Sequence, residues 1–378
     1  MIKRYLAISV ALVLALSLLA GCSQASAETP GTQSKPSQQQ ETLQEANPLT
    51  GLQKEADYPP NTRPVAIMIN NIKEALPQTG LQSADLIYEM VTEGGITRLM
   101  AVYSDYTKLG LVGPVRSARD QHLQLAFPLQ ALYVHIGSST YARDMLDAYK
   151  YEEKDLDGNL GSVREVAFYL DEERHKTKNI EHCYYTSGEM IEAAVEKYNM
   201  ETALTETLNP IFDFVSYKET PRKLKTGEAT TVDWKFSLSN TTGFTYNTKN
   251  NCYEKSAFGE PQIDTATGEA LYFDNVLLLF TEITPRADNV LMNVNYNYGG
   301  IGYYFNGGRY ELVRWLKGVP EQPLRIVDAG GNEVNVKINP GKTYVAVVGD
   351  TMIGTLTIDD EVVYPEAKVS EPTAEVKG

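Results

Sequence analysis

The residues of this sequence best suited to bind a ligand are arginines and histidines next to small-residue turns. Arg98 follows paired glycines, Arg116 and Arg119 flank a Ser-Ala pair, and His135 ends an apolar run just before a Gly-Ser-Ser turn. Guanidinium groups bind phosphate and carboxylate in a bidentate manner, and free backbone N–H groups at a helix start suit an anion. We therefore predict an anion-binding cleft, made by Arg98, Arg116, Arg119, His135, Ser138, Ser139 and His182.

The same side chains have structural interpretations, which the sequence leaves open. The arginines could instead form ion pairs that hold the fold together, and the candidate carboxylates are Asp85, Glu89, Glu93 and Asp120. Two or more guanidinium groups open to one cleft and free of carboxylates would favour a ligand. Histidines in such positions are more often packing residues, and serines before a helix are often caps. Since no Gly-x-Ser-x-Gly segment surrounds the serines, a serine nucleophile is not predicted, and the catalytic residues, if any, stay unknown.

Composition narrows the choice of partners. The formal net charge of −15 excludes non-specific binding to nucleic acid, so a phosphate-bearing ligand would have to be held by a local basic site. No CxxC or HExxH segment is present, and we predict neither a metal site nor a cofactor. After Cys22, the remaining cysteines Cys183 and Cys252 are predicted to be free thiols.

The N-terminus predicts export and anchoring. Two basic residues precede an apolar run from Leu6 to Ala20, as in the signal peptide of an exported protein. The run ends Leu-Ala-Gly-Cys, which resembles a bacterial lipobox, although an ordinary signal peptide with a chance cysteine is the alternative. We expect residues 1–21 to be removed and Cys22 to carry the lipid that holds the protein on the extracytoplasmic face of the cell membrane. Residues 22–46, which are rich in Gln, Ser and Thr, are predicted to be a disordered tether.

Residues 47–209 predict an α/β domain. Continuous apolar runs at 63–70, 86–90 and 97–104 are typical of strands buried on both faces. The paired glycines between the last two runs predict a tight reversal. Helical spacing follows at 117–127 and 139–149, and a Ser-led helix near residue 187 closes the domain.

Residues 210–364 predict a mainly-β domain, followed by a flexible tail at 365–378. Apolar and polar residues alternate along 232–238 and 290–298, and an Asn-Gly pair at 306–307 predicts a hairpin. Further short strands are predicted at 327–331, 334–338 and 344–348. Most of the tyrosines in this part are predicted to pack in the core, with a ligand-stacking face as the minor alternative.

Several segments together resemble the YerB-like bacterial lipoproteins, a family of uncharacterised molecular function. The resemblance implies an N-terminal α/β domain, a C-terminal β-rich domain and an extracytoplasmic location. It supplies no catalytic residue, and Cys183 stands where the family pattern has Asn after His. The segments that carry it are NPLTGL (47–52), RPVAIMINN (63–71), ADLIYEMVTEGGITRLMAVYSD (84–105), GPVRSARD (113–120), VHIGSS (134–139), GGIGYYFNGGRYELVRWLKG (299–318) and PGKTYVAVVGD (340–350).

These observations favour a non-enzymatic, membrane-anchored protein that binds an anionic cell-envelope ligand or a partner protein through the arginine-lined cleft. One alternative is an enzyme that acts on polyprenyl-phosphate-linked glycans, because the layout is broadly similar to the LytR–CpsA–Psr phosphotransferases. Arg116, Arg119, Asp120 and Asp85 would then hold pyrophosphate and Mg²⁺. A second alternative is a structural partner that regulates another envelope enzyme.

Overall fold

Apolar runs of the first half form the centre of a mixed sheet. Val65–Asn70 (β1), Leu86–Val91 (β2) and Thr97–Tyr103 (β3) are buried along their whole length, as expected for a sheet covered on both faces. The structure, a computed structural model, describes residues 45–365. The predicted signal peptide, Cys22, nearly all of the predicted tether and the predicted tail lie outside these residues.

The first half alternates strands and helices. After β3 come the strands Leu132–His135 (β4), Asp155–Asp157 (β5), Tyr169–Leu170 (β6) and Tyr184–Tyr185 (β7), and the helices Asp120–Ala126 (α1), Thr140–Ala148 (α2), Gly161–Ala167 (α3), Glu172–His175 (α4) and Gly188–Tyr198 (α5).

The second half is built mainly from antiparallel strands. They are Gly227–Glu228 (β8), Thr231–Ser237 (β9), Asn240–Asn247 (β10), Cys252–Ala257 (β11), Glu260–Pro261 (β12), Ile263–Asp264 (β13), Glu269–Ala270 (β14), Tyr272–Phe273 (β15), Asn275–Thr281 (β16), Ile283–Pro285 (β17), Met292–Val294 (β18), Gly300–Asn306 (β19), Arg309–Leu316 (β20), Arg325–Asp328 (β21), Thr343–Gly349 (β22), Thr357–Ile358 (β23) and Glu361–Val362 (β24).

One sheet contains strands of both halves. Its order is β21-β20-β19-β16-β22-β2-β3-β1-β4-β5, and β8 pairs with β20. The strand β22 lies between β16 and β2 and is parallel to both. The two halves therefore share backbone hydrogen bonds at the centre of the molecule.

Six strands of this sheet end at the same edge. The strands β1, β4 and β5 are parallel, β1 and β2 are both antiparallel to β3, and β2, β22 and β16 are parallel. We call the side where these six strands end the carboxyl-end edge. In α/β sheets, ligands bind in crevices outside the carboxyl ends of strands, so this edge is where a site is expected.

Both faces of the shared sheet are covered. On one face, Leu123 of α1 and Leu146 of α2 pack in the same apolar cluster as Met100 of β3. On the other face, Trp234 and Phe244 of a second sheet, ordered β12-β11-β10-β9-β23-β24, pack in a cluster with Ile87 of β2. The helices α3 and α5 extend this second layer.

The predicted fold class, α/β followed by mainly β, is confirmed. Two local signals are confirmed as well: residues 93–95 form the reversal between β2 and β3, and Ser139 caps α2. The predicted hairpin between β19 and β20 is present, but its turn residues are Gly307 and Gly308, and Asn306 pairs with Arg309 at the end of β19. The strand predicted at 334–338 is wrong, because this segment makes only isolated bridges, at Asn335 and Ile338. Whether the chain divides into domains near residue 209 stays a prediction.

Candidate functional site

Two of the predicted arginines share one carboxylate at the carboxyl-end edge. Arg98 is the second residue of β3 and Arg119 directly precedes α1, whereas Glu93 lies in the turn between β2 and β3. The Arg98 Nη2 atom lies 2.6 Å from Glu93 Oε1, and Arg119 donates from Nη2 to Oε1 (2.5 Å) and from Nε to Oε2 (2.9 Å). Arg98 and Arg119 therefore form the ion pairs that the structural interpretation of the sequence allowed.

The two arginines that bind Glu93 are buried. The side chains of Arg98 and Arg119 are 2% and 9% exposed, and that of Glu93 is 23% exposed. Burial and the neighbouring Arg119 lower the pKa of Arg98 to about 9, against the opposing effect of Glu93. Burial would raise the pKa of Glu93, but its hydrogen bonds and charge interactions with the two arginines lower it to about 2. Glu93 is thus ionised and held by two cations.

Arg116 and His182 lie beside this pair. The Arg116 side chain is 24% exposed, and its Nη2 lies 3.0 Å from Oε2 of Glu181, whose side chain is 43% exposed. His182 is buried, and its Nδ1 is 2.8 Å from the side-chain amide of Asn70 at the end of β1. Burial lowers the pKa of His182, so it is neutral at pH 7. We call Glu93, Arg98, Arg116, Arg119, Glu181 and His182 the carboxyl-end cluster.

The loop that carries Arg116 and Arg119 runs along the turn after β4. The Ala118 N–H donates to the Gly137 carbonyl, and the Ser139 N–H donates to the Ala118 carbonyl. Ser139 accepts from the Ala142 N–H, so this serine acts as the helix cap that the alternative interpretation predicted. The Ser138 hydroxyl accepts from Arg143 at 3.3 Å.

His135 is fully buried and belongs to a neighbouring group of charges. Its Nε2 is 2.6 Å from Asp155 Oδ1, and its Nδ1 is 2.8 Å from the Gly137 carbonyl. Arg143 binds the other oxygens of Asp155 and Asp157, at 3.4 and 2.6 Å. Burial alone would lower the pKa of His135, but the hydrogen bond and charge of Asp155 raise it. Both ring nitrogens are occupied by acceptors, so His135 is a structural residue here and not a free base.

The raised pKa of His135 makes a prediction about pH. Since its folded pKa lies above the ordinary value of about 6.5, its contribution to stability is complete below that pH and is lost as pH rises through the folded pKa. His135→Gln is expected to lower the free energy of unfolding by about 2 kcal/mol at pH 5.5 and by less at pH 9, as judged from hydrogen bonds to charged groups. Urea titrations across this range measure the difference. The exposed His175→Gln variant is the control, and a loss that does not change with pH would contradict the assignment.

Three of the predicted carboxylates do not join the clustered arginines. Asp85 precedes β2, whereas Glu93 follows it, and a six-residue strand separates its ends by about 20 Å. Asp85 instead accepts from the Ser104 N–H at 2.7 Å. Asp120 pairs with Arg286 of the second half. Glu89 is fully buried beside Lys255, on the sheet face that the second sheet covers.

The predicted open cleft is corrected by these contacts. Arg98, Arg119, His135 and His182 are buried, and each clustered arginine has a carboxylate partner. The arrangement suggested for a phosphotransferase fails at Asp85, which lies at the far end of β2. Arg98, Arg116, Arg119, His135 and His182 nevertheless lie at one edge of the sheet. That they bind a ligand stays a prediction.

Sequence reasoning missed several partners in this region. Glu181, Asp155, Asp157 and Arg286 all form ion pairs with predicted site residues or their neighbours. The pair of asparagines that ends β1 was a usable signal, since polar residues directly after a buried strand mark its carboxyl end. The pairing of Arg286 with Asp120, across 166 positions, has no local signal.

Three further findings in residues 45–365 concern metal ligands, cysteines and membrane spans. In that range no group of three or more His, Cys, Asp or Glu side chains is placed to hold a metal ion. Cys183 and Cys252 are both free and buried. None of the helices described there has the length and apolar character needed to cross a bilayer.

Fold and sequence together define a protein class whose molecular function is unknown. Residues 49–201 match the N-terminal domain, and residues 231–345 the C-terminal domain, of the family described as "Protein of unknown function (DUF3048)". The two ranges together cover more than half of the chain, and the chain belongs to this family.

The chain is also similar to an individual member of this class, in sequence and in structure. The chain is 28% identical over 309 residues to the Bacillus subtilis (strain 168) protein named "Putative lipoprotein YerB", covering 80% of this chain and 86% of that protein. It is also similar to the crystal structure of YerB protein from Bacillus subtilis, with a TM-score of 0.65 and 26% identity, covering 80% of this chain and 96% of that one. The predicted resemblance to the YerB-like family is confirmed.

Proposed function

We propose that this protein is a membrane-anchored extracytoplasmic lipoprotein that binds an anionic cell-envelope ligand at the carboxyl-end cluster. The observation that carries the proposal is the convergence of Arg98, from β3, with Arg116 and Arg119, from the loop before α1, at one edge of the sheet. In a chain with a formal charge of −15, such a local group of cations is the place where an anion would be held. The name of the Bacillus subtilis relative and the Leu-Ala-Gly-Cys segment ending at Cys22 support the lipid anchor.

The geometry favours binding over catalysis. Glu93 is ionised and committed to two arginines, and His135 is committed to Asp155 and the Gly137 carbonyl, so neither group is available as a general base. Arg116 has the most exposed side chain of the three arginines and is therefore the arginine that a ligand would meet first.

The proposal predicts that the double variant Arg116→Ala/Arg119→Ala binds phosphorylated cell-wall fragments at least about tenfold more weakly than the wild type, which corresponds to the loss of one strong ionic contact. Affinity is measured by calorimetry against phosphorylated and undecorated fragments, and circular dichroism checks that the variant is folded. Arg222→Ala is a matched control, because Arg222 is 25% exposed and also pairs with a glutamate, Glu311, but lies in the second half.

If the double variant and the wild type bind the fragments with equal affinity, the carboxyl-end cluster is not the binding site. If the wild type binds none of the fragments, the ligand is not a wall anion, and a protein partner becomes the next candidate.

A further inference from the structure

Three N–H groups of two arginines are directed at a single carboxylate. Arg98 donates one of them and Arg119 donates two, all to the oxygens of Glu93 at 2.5–2.9 Å. One negative charge thus faces two positive charges in a largely buried position. Arg98 Nε is also buried and has no hydrogen-bond partner among the described residues.

Glu93 is the outermost member of this group. Its side chain is 23% exposed, compared with 2% for Arg98 and 9% for Arg119, so the carboxylate covers the two guanidinium groups from the solvent side. Removing it would open both arginines to a ligand. Arg116, 24% exposed, would lie beside that opening.

The loop that carries Glu93 contains two glycines, which have more accessible backbone conformations than other residues. Gly94 and Gly95 both have positive φ, +63° and +77°, a region that other residues adopt at a cost. A side chain at Gly94 would meet no atom within 4 Å, so this point of the loop is open. The loop is held from the second half by the Ser237 hydroxyl, which donates to the Gly95 carbonyl at 2.7 Å.

We propose that the Glu93 carboxylate occupies the position of a ligand phosphate group and is displaced when the ligand binds. This inference rests on the proposed function and specifies its ligand as a phosphate monoester. A dianionic phosphate balances the charges of both arginines, which one carboxylate does not, and it offers more acceptor oxygens to the N–H groups of Arg98 and Arg119. Displaced Glu93 would regain full hydration at the surface.

The test compares phosphate binding by the full-length protein and its Glu93→Gln variant. Inorganic phosphate is the first probe, and acetate at equal ionic strength is the control ligand. Without the competing charge, the variant is expected to bind phosphate about tenfold more tightly than the wild type, a change that corresponds to one strong ionic interaction. Glu181→Gln, which removes the more exposed carboxylate beside Arg116, is the matched control and is expected to change the affinity less.

A second variant covers the case in which Glu93→Gln does not fold. Ser237→Ala leaves all charges in place and releases the Gly95 carbonyl, so the loop should open more readily and phosphate affinity should rise by a smaller factor. Glucose 1-phosphate and dihexanoyl phosphatidic acid then distinguish a sugar phosphate from a lipid phosphate as the source of the group.

The possible failures are distinguishable. If the wild type binds phosphate through Arg116 and Arg119, but neither Glu93→Gln nor Ser237→Ala binds it more tightly, displacement is overturned and the proposed function stands. If neither the wild type nor the variants bind phosphate or its esters, the inference and the anion-binding function fall together.

Discussion

Glu89→Gln is expected to lower the free energy of unfolding by about 3–5 kcal/mol, the cost of leaving one member of a buried ion pair without its partner. Glu89 in β2 and Lys255 in β11 are 0% and 1% exposed, and Lys255 Nζ lies 3.3 Å from Glu89 Oε2. Burial lowers the pKa of Lys255, and Glu89 opposes that effect. Without the carboxylate, Lys255 would have neutral acceptors such as Gln262 Oε1, but no negative charge within ion-pair distance among the described residues.

The contacts of Glu89 account for the size of the expected loss. Its Oε1 accepts from the Asn71 amide at 2.9 Å and from the Thr97 hydroxyl at 2.8 Å, and its Oε2 accepts from the Tyr344 hydroxyl. These partners belong to β22 and to the ends of β1 and β3, so the network joins both halves of the chain. Losing the charge weakens several hydrogen bonds at once.

A double-mutant cycle tests this assignment. Urea unfolding is measured for Glu89→Gln, Lys255→Met and the double variant, and the double variant is expected to be at least about 2 kcal/mol more stable than the sum of the single losses implies. Lys108→Met is the control, since Lys108 pairs with Glu55 and Asp57 at the surface and its loss should cost no more than about 1 kcal/mol. Additive losses in the cycle would show that Glu89 and Lys255 do not depend on each other.

The second prediction with a large expected effect is that the first half of the chain does not fold without the second half. A fragment of residues 45–226 is expected not to fold cooperatively by itself. It would lack β22, so β2 would have an unpaired edge, and Glu89 would lose both Lys255 and Tyr344. The apolar face that packs against Trp234 and Phe244 would also be open to water.

Thermal unfolding and dye binding measure the outcome. The fragment should show no sharp transition and should bind an apolar dye, whereas residues 45–365 should unfold sharply. Adding a separately produced fragment of residues 227–365 should restore a transition. A well-dispersed amide spectrum from residues 45–226 alone would show that this half is an independent domain.

Local features of this fold were predictable from sequence, because their causes are local. The glycines after Glu93 reverse the chain whatever surrounds them, and Ser139 caps the helix that follows it. The insertion of β22 between β16 and β2 was not predictable, since an apolar strand carries no mark of its neighbours.

The sequence indicated which residues lie near one another in the candidate site, but not whether their side chains are exposed or paired. His135 ends the parallel strand β4, Arg98 lies near the start of the antiparallel strand β3, and the Arg116 N–H donates to Met68 of β1, so the three lie at the same edge of the sheet. Whether a guanidinium faces solvent or a carboxylate depends on side-chain packing between distant segments. In this structure, Arg98 and Arg119 both face the carboxylate of Glu93. Strand length alone could have excluded Asp85, because β2 separates it from Glu93.

The position of β22 also governs the timing of folding. Tyr344 in this strand bonds to Glu89, which lies 255 positions earlier in the chain. Closing so large a loop is slow. The strand β2 cannot pair with β22 until β22 has been synthesised. We therefore expect the central ladder of the shared sheet to form late, after β22 has been synthesised, and the first half of the chain to stay without its full set of strand partners until then.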